Sequence, residues 1–463
     1  MTKDIFKQKL KFKILIVFII LIMCISNIYA TNIPTLYCKN AILIDNDSGK
    51  VLYESGQNAK VYPASTTKVL TAILSLEKLD INSSTVVSET AIDLPSDSSN
   101  AALKQGEVMS IKDLLYALML KSGNDAANVL AEAVSGTIDN FVNLMNEKLN
   151  ELGCINSHFT NAHGYHDDNH YTTPSDMMKI LSYAIKNEDF VKIFSTASYT
   201  IEATNKTNAQ RIYQNTNRLI LTKEDSYLSR YYEYCIGGKT GYTGEAGRTL
   251  VAYAKNNDKN LILGVFNSNP SGSTDLRYTD AINLFDYGFN NFEKTKLLSK
   301  SDYSFSYTDN DKKLVYNYSI SEDVFALSSA EQINEPPIIE YHIDLDYDKL
   351  KQFDITSEDY KNQVVGSIKV TFRQNSSTYD KEFDLILNNI SEVPPTLWES
   401  SKNILYITLI VAIILFLLFI LFKILTKLSR KKRKNNREFK PNTSNYDLKG
   451  RRKVAYKSRR TLK

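Results

Sequence analysis

Three short strings stand in a fixed order along the chain: Ser65-Thr66-Thr67-Lys68, which follows Pro63-Ala64, then Ser122-Gly123-Asn124, and then Lys239-Thr240-Gly241. Each string is weak evidence alone, because Ser-x-x-Lys also occurs at Ser75–Lys78 and Ser-x-Asn at Ser98–Asn100. Their order and their local surroundings give them weight when they are taken together. Jointly they predict a site at which a serine hydroxyl takes part in acyl transfer.

The chemistry predicted for the first string depends on a lysine that can lose its proton. Ser65 and Lys68 are three positions apart, so on a helix both side chains project from one face. A serine hydroxyl is a weak nucleophile unless a base removes its proton, and a lysine is such a base only when burial or a second cation lowers its pKa. We expect Lys239 to supply that cation and the start of a buried helix to favour an oxyanion at Ser65. The alternative is that Ser65 is an ordinary helix N-cap.

The other two strings predict groups that position a substrate. Ser122-Gly123-Asn124 lies between two predicted helices, where a hydroxyl can pass protons and a carboxamide can hold a peptide backbone. Lys239-Thr240-Gly241 lies on a predicted strand rich in glycine, which lets a ligand backbone approach closely, and a cation beside a hydroxyl suits a carboxylate. An ordinary interhelical turn and a hairpin with a solvated lysine are the alternatives for these two strings.

Two apolar segments near the ends of the chain predict export and membrane anchoring. Five lysines precede Ile14–Ile25, and a small residue ends this region at Ala30, which is typical of a secretory signal peptide over residues 1–30. An uncleaved anchor is the alternative, but the apolar run is shorter than the roughly 20 residues that span a bilayer. Ile404–Phe422 carries no charge and is long enough to be a transmembrane helix. Because residues 423–463 are basic, this tail is predicted to be cytoplasmic, and the catalytic domain extracellular at the outer face of the cell membrane.

The net charge of +4 conceals an acidic extracellular part. Residues 1–30 carry +4 and residues 423–463 carry +15, which leaves −15 for residues 31–422. This acidic part argues against a nucleic acid partner, and the basic tail is typical of a stop-transfer flank that contacts anionic lipid. After the predicted signal peptide the only cysteines are Cys38, Cys154 and Cys235, so a disulfide framework is not expected.

The segment from His158 to His170 is the main rival site. It contains four of the five histidines of the chain, with Asp167 and Asp168 among them. It lacks the His-Glu-x-x-His helix pattern, and Asp167-Asp168-Asn169 is typical of a loop. We therefore expect no metal and no cofactor, and assign these histidines to structural polar contacts.

The order of the predicted elements indicates an α/β catalytic domain over residues 36–298. Ala41–Glu54 alternates like a hairpin, as does the region from Arg248 to Asn267, and residues 110–190 are mostly helical between them. Such an order suits a sheet completed by distant segments with helices on its faces. Helix N-caps are predicted at Ser110, Asp125, Asp139 and Thr173, and a further helix from about Thr274 to Phe289.

Residues 300–392 are predicted to form a separate all-β domain, a small sandwich. Short runs of β-branched and aromatic residues alternate there with Asp, Asn, Ser and Pro. The predicted strands are Tyr303–Tyr307, Leu314–Ile320, Ile338–Leu345, Val364–Phe372 and Glu382–Leu387.

On these residues, the chain resembles the low-molecular-mass penicillin-binding proteins that act as serine-type D-alanyl-D-alanine carboxypeptidases, the peptidase S11 family. The resemblance extends beyond the three strings to Leu120–Ala127, Asn161–Gly164, His170–Thr173 and Gly238–Thr243, and it is strong only before about residue 300. It implies a β-lactamase/transpeptidase-like fold, in which an antiparallel sheet is combined with a helical domain.

The resemblance also implies a role for each site residue. Ser65 would attack the carbonyl between the two terminal D-alanines of a peptidoglycan stem peptide and form an acyl-enzyme, with Lys68 as base. Ser122 would relay a proton to the leaving D-alanine, and the backbone N–H groups of Ser65 and Tyr242 would form the oxyanion hole. β-Lactam antibiotics would acylate Ser65 as inhibitors. The substrate-binding positions would be Asn124, Lys239, Thr240, Gly241 and Tyr242.

Two positions depart from the pattern of this family, and two other functions use the same residues. Ala162 stands where the family often has proline and Tyr165 where it often has leucine, which affects the shape of a loop and the fit of the substrate. A β-lactamase has the same three strings, but no Glu-containing loop that would activate a deacylating water can be assigned here. A catalytically silent penicillin-binding sensor is the other alternative, and the intact strings argue against it.

Overall fold

The computed structural model describes residues 33–268, 275–301, 304–334, 337–353, 355–356, 358–374, 377–394 and 397–435. The predicted signal peptide, residues 1–30, lies outside the described residues, as do residues 436–463 of the predicted cytoplasmic tail.

A five-stranded antiparallel sheet forms the centre of the catalytic part. Its strand order is β2-β1-β9-β8-β7, so the first hairpin of the chain pairs with strands that come about 200 residues later. This confirms the prediction that distant segments complete one sheet. Two small ribbons, β3-β4 and β5-β6, lie outside it. The strands are β1 (Cys38–Asp45), β2 (Val51–Ser55), β3 (Ser84–Val86), β4 (Val108–Ser110), β5 (Ser198–Ile201), β6 (Arg211–Gln214), β7 (Cys235–Thr243), β8 (Gly247–Asn256) and β9 (Lys259–Ser268).

Helices cover both faces of this sheet because successive strand residues point to opposite sides. Ile262 of β9 belongs to the core on the side of the larger helical block, and the adjacent Leu263 belongs to the core on the other side. A non-helical segment from Leu152 to Thr173 interrupts the predicted helical block. The helices are α1 (Lys68–Lys78), α2 (Glu89–Ile92), α3 (Ile111–Tyr116), α4 (Asn124–Ser135), α5 (Ile138–Glu151), α6 (Pro174–Ala184), α7 (Glu188–Phe194) and α8 (Arg277–Asn291).

Two of the four predicted helix caps are confirmed and two are wrong. The side chains of Ser110 and Thr173 accept hydrogen bonds from the third residue of α3 and of α6. The N-cap of α4 is Gly123, because the buried carboxylate of Asp125 instead accepts hydrogen bonds from the backbone of a neighbouring segment. The N-cap of α5 is Thr137, which lies two residues before the predicted Asp139.

The C-terminal part contains a five-stranded sheet with the order β11-β12-β16-β15-β14 and a two-stranded ribbon of β10 and β13. All five strands predicted there are present, whereas the ribbon strands were not predicted. Because β10 pairs with β13, the ribbon crosses the predicted boundary between residues 298 and 300. Short helices α9 (Ala330–Asn334) and α10 (Tyr347–Leu350) accompany these strands. The strands are β10 (Phe292–Leu298), β11 (Ser304–Asp309), β12 (Leu314–Ile320), β13 (Val324–Ser329), β14 (Ile338–Leu345), β15 (Val364–Gln374) and β16 (Ser377–Glu392).

The last described helix, α11 (Leu397–Asn435), has the length and composition of a membrane span. Its apolar segment, Ile404–Ser429, extends beyond the predicted Ile404–Phe422 and is the one such candidate among the described residues. The large apolar side chains of this segment are exposed, for example that of Phe416 at 63%. A helix with apolar residues on every side is stable in lipid and not in water.

Removing the cap of α6 should destabilise the catalytic part. The Thr173 hydroxyl accepts a hydrogen bond from the Asp176 N–H at 3.1 Å, and this oxygen is lost in Thr173→Ala. We expect Thr173→Ala to lower the free energy of unfolding by about 1 kcal/mol. Thr173→Ser keeps the oxygen and should unfold closer to the wild type. Thermal unfolding followed by circular dichroism measures both, and equal melting temperatures for the two variants would contradict this cap.

Candidate active site

The predicted nucleophile, Ser65, lies in a tight turn and not inside an α-helix. Residues Ala64–Thr67 form one turn of 3-10 helix, and α1 begins at Lys68. Ala64 has a φ of +48°, a left-handed conformation that is unfavourable for a residue with a side chain. Strained backbone of this kind persists only where the surrounding structure enforces it, and it is concentrated at functional sites.

Lys68 is fully buried and contacts the nucleophile directly. Its Nζ lies 3.0 Å from the Oγ of Ser65, 2.7 Å from Oδ1 of Asn124 and 2.8 Å from the carbonyl oxygen of His163. Burial lowers the pKa of Lys68 well below its usual value, and the charge of Lys239 lowers it further. Asp125 acts in the opposite direction. The structure therefore places Ser65, Lys68 and Asn124 together around an amine that readily becomes neutral.

Ser122 approaches from the opposite wall through an unusual backbone. The helix α3 continues as a π-helical turn, Ala117–Lys121, and Ser122 follows with a φ of +64°. Such π-helical turns are rare overall, and those that occur are often found at functional sites. A side chain on Gly123 would have its Cβ 2.9 Å from the Cβ of Ala101, so the chain passes here only with glycine. This conformation turns the Ser122 hydroxyl towards Lys239, whose Nζ donates to it at 3.0 Å.

Lys239 is also fully buried, on β7. Besides Ser122, its Nζ donates to the carbonyl oxygen of Thr240 at 3.0 Å. Burial lowers the pKa of Lys239 to about 7, and the nearby charge of Arg277 contributes to the shift. The amine is thus enclosed behind Ser122 and does not line either cavity of the site.

Strand β7 lies against the turn of the nucleophile because glycine leaves room for it. A Cβ on Gly241 would be 2.9 Å from the backbone nitrogen of Ser65. The next residue, Tyr242, has a side chain that is 61% exposed at the mouth of the site. Thr240 donates its hydroxyl proton to the Thr216 hydroxyl at 2.8 Å. The three strings of the sequence therefore meet at one place in the structure.

Two cavities open onto Ser65. The first has a volume of about 350 Å³ and extends past Tyr242 towards Tyr165 and Glu245. The second, of about 610 Å³, extends past Ser122 and Thr240. Its wall includes two positively charged side chains, Arg218 and Arg277.

Several residues of the site were not predicted from the sequence. Arg277 donates to the carbonyl oxygens of Gly241 and Thr249 at 3.0 Å each, and it pairs with Asp275 at 2.8 Å. A buried arginine at the start of an otherwise amphipathic helix was the available signal. Thr216 and Arg218 lie in a polar run between two elements, which gave no specific signal.

The histidines take part in local polar contacts. Thr67 lies 2.8 Å from Nε2 of His170, and the ring of His170 stacks on Phe159. His163 is buried, and its carbonyl oxygen contacts Lys68. Among the residues that the structure describes, no group of three His, Cys, Asp or Glu side chains could hold a metal ion.

Comparison with known proteins identifies the family. The peptidase S11 family model, described as D-alanyl-D-alanine carboxypeptidase, matches residues 27–270. The chain belongs to the peptidase S11 family. The predicted β-lactamase/transpeptidase-like fold is confirmed by the solved structures of S11 relatives.

Individual proteins that are similar to this chain match it over different lengths. D-alanyl-D-alanine carboxypeptidase DacF of Bacillus subtilis is 34% identical over 57% of this chain, which covers 65% of that protein, slightly less than two thirds. The crystal structure of a D-alanyl-D-alanine carboxypeptidase from Mycobacterium tuberculosis is 32% identical, with a TM-score of 0.51, over 56% of this chain and 93% of that one. Penicillin binding protein 5 from Haemophilus influenzae has 26% identity and a TM-score of 0.58 over 78% of this chain and 99% of that one.

Replacing Lys239 with alanine should move the acidic limb of the pH profile of acylation by a β-lactam to higher pH. The charge of Lys239 is the second cause of the lowered pKa of Lys68, after burial. Without this charge the pKa of Lys68 rises, so a higher pH is needed to form the neutral amine. Stopped-flow acylation between pH 5 and pH 10 measures the limb.

The matched control for this measurement is Lys255→Ala, since Lys255 is an exposed lysine of the adjacent strand β8. Its pH profile should coincide with that of the wild type. A Lys239→Ala profile whose acidic limb stays at the wild-type pH would show that burial alone sets the pKa of Lys68.

Proposed function

We propose that this chain is a serine-type D-alanyl-D-alanine carboxypeptidase that removes the terminal D-alanine from peptidoglycan stem pentapeptides and is acylated by β-lactams. The observation that carries this proposal is the 3.0 Å contact between the Ser65 hydroxyl and the buried amine of Lys68. A nucleophile within hydrogen-bonding distance of a base whose pKa is lowered by burial is the arrangement that serine acylation requires. Membership of the peptidase S11 family supports the same reaction.

In the acylation step, neutral Lys68 takes the hydroxyl proton as the Ser65 oxygen attacks the carbonyl carbon between the two D-alanines. The negative charge that develops on the carbonyl oxygen is stabilised by the backbone N–H groups of Ser65 and Tyr242. Ser122 then passes a proton to the leaving nitrogen, and the C–N bond breaks to release D-alanine. The proton on Lys239 can replace the one that Ser122 gives up, because the two groups are hydrogen-bonded at 3.0 Å.

In the deacylation step, water attacks the ester at Ser65. Acylation leaves Lys68 protonated and Lys239 neutral, so one proton passes from Lys68 back to Lys239 through solvent before the water is activated. Neutral Lys68 then accepts a proton from the attacking water and gives it to the Ser65 oxygen as the ester C–O bond breaks, which restores the free enzyme and releases the shortened peptide. The hydrogen bond from Lys68 to Asn124 keeps the amine oriented throughout, and the Asn124 amide group is also placed to hold the acyl part of the substrate.

The terminal carboxylate of the substrate fits the second cavity. Thr240 and the charged side chains of Arg218 and Arg277 line its wall. Lys239 contributes positive charge behind this wall without lining the cavity. Strand β7 is at the edge of its sheet, and its residues Gly241 and Tyr242 line this cavity beside Ser65, so an extended peptide can lie there.

Labelling with a fluorescent penicillin tests the nucleophile. The wild type should be labelled covalently and should release D-alanine from a pentapeptide, whereas Ser65→Ala should do neither, because it lacks the hydroxyl that forms the ester. Ser75→Ala is the matched control: Ser75 begins the second Ser-x-x-Lys string, but its hydroxyl is bound to the Thr71 carbonyl oxygen in α1. Ser75→Ala should be labelled like the wild type.

Three outcomes would contradict the proposal in different ways. Equal labelling of the wild type and Ser65→Ala would exclude Ser65 as the nucleophile. Rapid turnover of penicillin without release of D-alanine would identify a β-lactamase. A folded wild type that neither releases D-alanine nor turns over penicillin would identify a catalytically silent member of the family.

We further propose that the catalytic part lies outside the cytoplasmic membrane, with α11 as its anchor. The exposed apolar surface of Ile404–Ser429 and the basic sequence that follows it support this orientation. Protease added to intact protoplasts should degrade the catalytic part and leave a C-terminal epitope tag protected. The tag should be lost when the protoplasts are permeabilised. Loss of the tag from intact protoplasts would show the opposite orientation.

A further inference from the structure

A buried chain of hydrogen bonds connects one histidine of the 158–170 segment to the nucleophile. His170 is only 2% exposed, and Thr67, which it contacts, is fully buried. The Nε2 atom of His170 lies 2.8 Å from the Thr67 hydroxyl, which in turn donates to the carbonyl oxygen of Ala64 at 2.9 Å. None of these groups lines either of the two cavities that open onto Ser65.

The direction of this chain follows from its two ends. The backbone N–H of Thr160 donates to Nδ1 of His170 at 3.0 Å, so Nδ1 must be an acceptor and the proton of the neutral ring is on Nε2. Burial lowers the pKa of His170 to about 3, which keeps the ring neutral. The Thr67 hydroxyl uses its single proton for Ala64 and therefore accepts from His170. The hydrogen bonds are thus donated from His170 to Thr67 and from Thr67 to the carbonyl group of Ala64.

The carbonyl group of Ala64 belongs to the same peptide unit as the N–H of Ser65. A hydrogen bond to the oxygen of an amide polarises it and makes its N–H a stronger donor. In the proposed mechanism this N–H is one of the two donors of the oxyanion hole. The contact also holds Ala64 at its unfavourable φ of +48°, which sets the direction of the N–H.

We propose that His170 is a positioning residue for the reaction, which acts through Thr67 to orient and polarise the Ser65 N–H of the oxyanion hole. This inference rests on the proposed function, because it assigns a task to the nucleophile's own peptide group. His170 does not touch the substrate. The polarised N–H stabilises the negative charge that develops on the carbonyl oxygen in the transition state. Loss of His170 should therefore lower the rate of the chemical step and leave ground-state binding unchanged.

Two variants of His170 distinguish the effect of its hydrogen-bond donor from the effect of its size. The amide nitrogen of His170→Gln can reach the position of Nε2, whereas His170→Asn carries the same amide on a side chain too short to reach Thr67. We expect the full-length chain, purified in detergent, to be acylated by penicillin about tenfold more slowly as His170→Asn, with the noncovalent dissociation constant within about twofold of the wild type. His170→Gln should recover most of the rate.

Two variants of Thr67 test the next link. Thr67→Val has nearly the same shape but no hydroxyl, and Thr67→Ser keeps the hydroxyl. Thr67→Val should be about as slow as His170→Asn, and Thr67→Ser should be close to the wild type. The double variant Thr67→Val with His170→Asn should be no slower than the slower single variant, because each substitution breaks the same chain.

The carbonyl stretch of the penicilloyl ester at Ser65 reports the strength of the oxyanion hole directly. Infrared difference spectra with a carbonyl-labelled penicillin should show this band at higher wavenumber in His170→Asn and Thr67→Val than in the wild type. His158→Gln is the matched control, since His158 is an exposed histidine of the same segment that contacts Asn169. Its rate and its band should not change.

Wild-type rates together with an unshifted band in His170→Asn and Thr67→Val would overturn the inference. Slow acylation with an unshifted band, or without recovery in His170→Gln and Thr67→Ser, would reduce His170 to a packing residue and also overturn it. A wild type that is folded but never acylated would instead contradict the proposed function. If either deleting variant fails to fold, the comparison of His170→Gln and Thr67→Ser with the wild type still decides, because a chain of donors predicts near wild-type bands in both.

Discussion

The burial of one amine, that of Lys68, is the constraint on which the rest of the site depends. A lysine without exposure is unfavourable unless every polar atom near it is arranged to receive its protons. Three elements meet this requirement: the turn of Ser65, the start of α4 at Asn124 and the carbonyl group of His163. The helical block and the 152–173 segment are held together at this point, so the base is part of the packing of the domain.

The same constraint explains the order of charges behind the site. Burial lowers the pKa of both lysines, and the charge of Arg277 adds to the shift of Lys239 as the charge of Lys239 adds to that of Lys68. Positive charge is therefore retained beside the second cavity, where the proposed substrate carboxylate binds, and is suppressed beside Ser65, where the proposed mechanism needs a neutral base. Both conditions are met because the two kinds of side chain differ in how readily they lose a proton. The guanidinium of Arg277 stays charged, whereas a buried lysine amine readily becomes neutral.

The fold was largely predictable because its signals are local. The hairpins β1-β2 and β8-β9 have turn residues between alternating segments, and the caps at Ser110 and Thr173 are followed by periodic helices. The caps at Asp125 and Asp139 were wrongly predicted because an aspartate near a helix start has the same local pattern whether it caps that helix or binds another segment. The β10-β13 ribbon was missed because β10 directly follows α8 and β13 directly precedes α9, so no turn residues separate these strands from the helices.

The candidate site was predictable only in part. The sequence indicated four residues of the site because their strings stand in a fixed order: Ser65, Lys68, Ser122 and Lys239. The structure brings Ser65 within hydrogen-bonding distance of Lys68, and Ser122 within that distance of Lys239. The enclosure of Lys239 behind Ser122 could not be predicted, because the sequence does not show which side of β7 faces the cavity. Arg277 contacts a backbone carbonyl oxygen and His170 contacts the Thr67 hydroxyl, both in other segments, and such contacts have no pattern in the sequence.

Gly164 shows how narrow the tolerance of this arrangement is. A methyl group on this residue would overlap the carbonyl oxygen of Ala64, and its φ of +85° already favours glycine. The nearest group to give way is the peptide unit that bears the Ser65 N–H. In the proposed mechanism a natural substrate and a β-lactam both depend on that N–H. A substitution at Gly164 that slowed acylation by a β-lactam would therefore also slow acylation by the natural substrate, so this position offers little freedom to resist the drug while keeping the proposed activity.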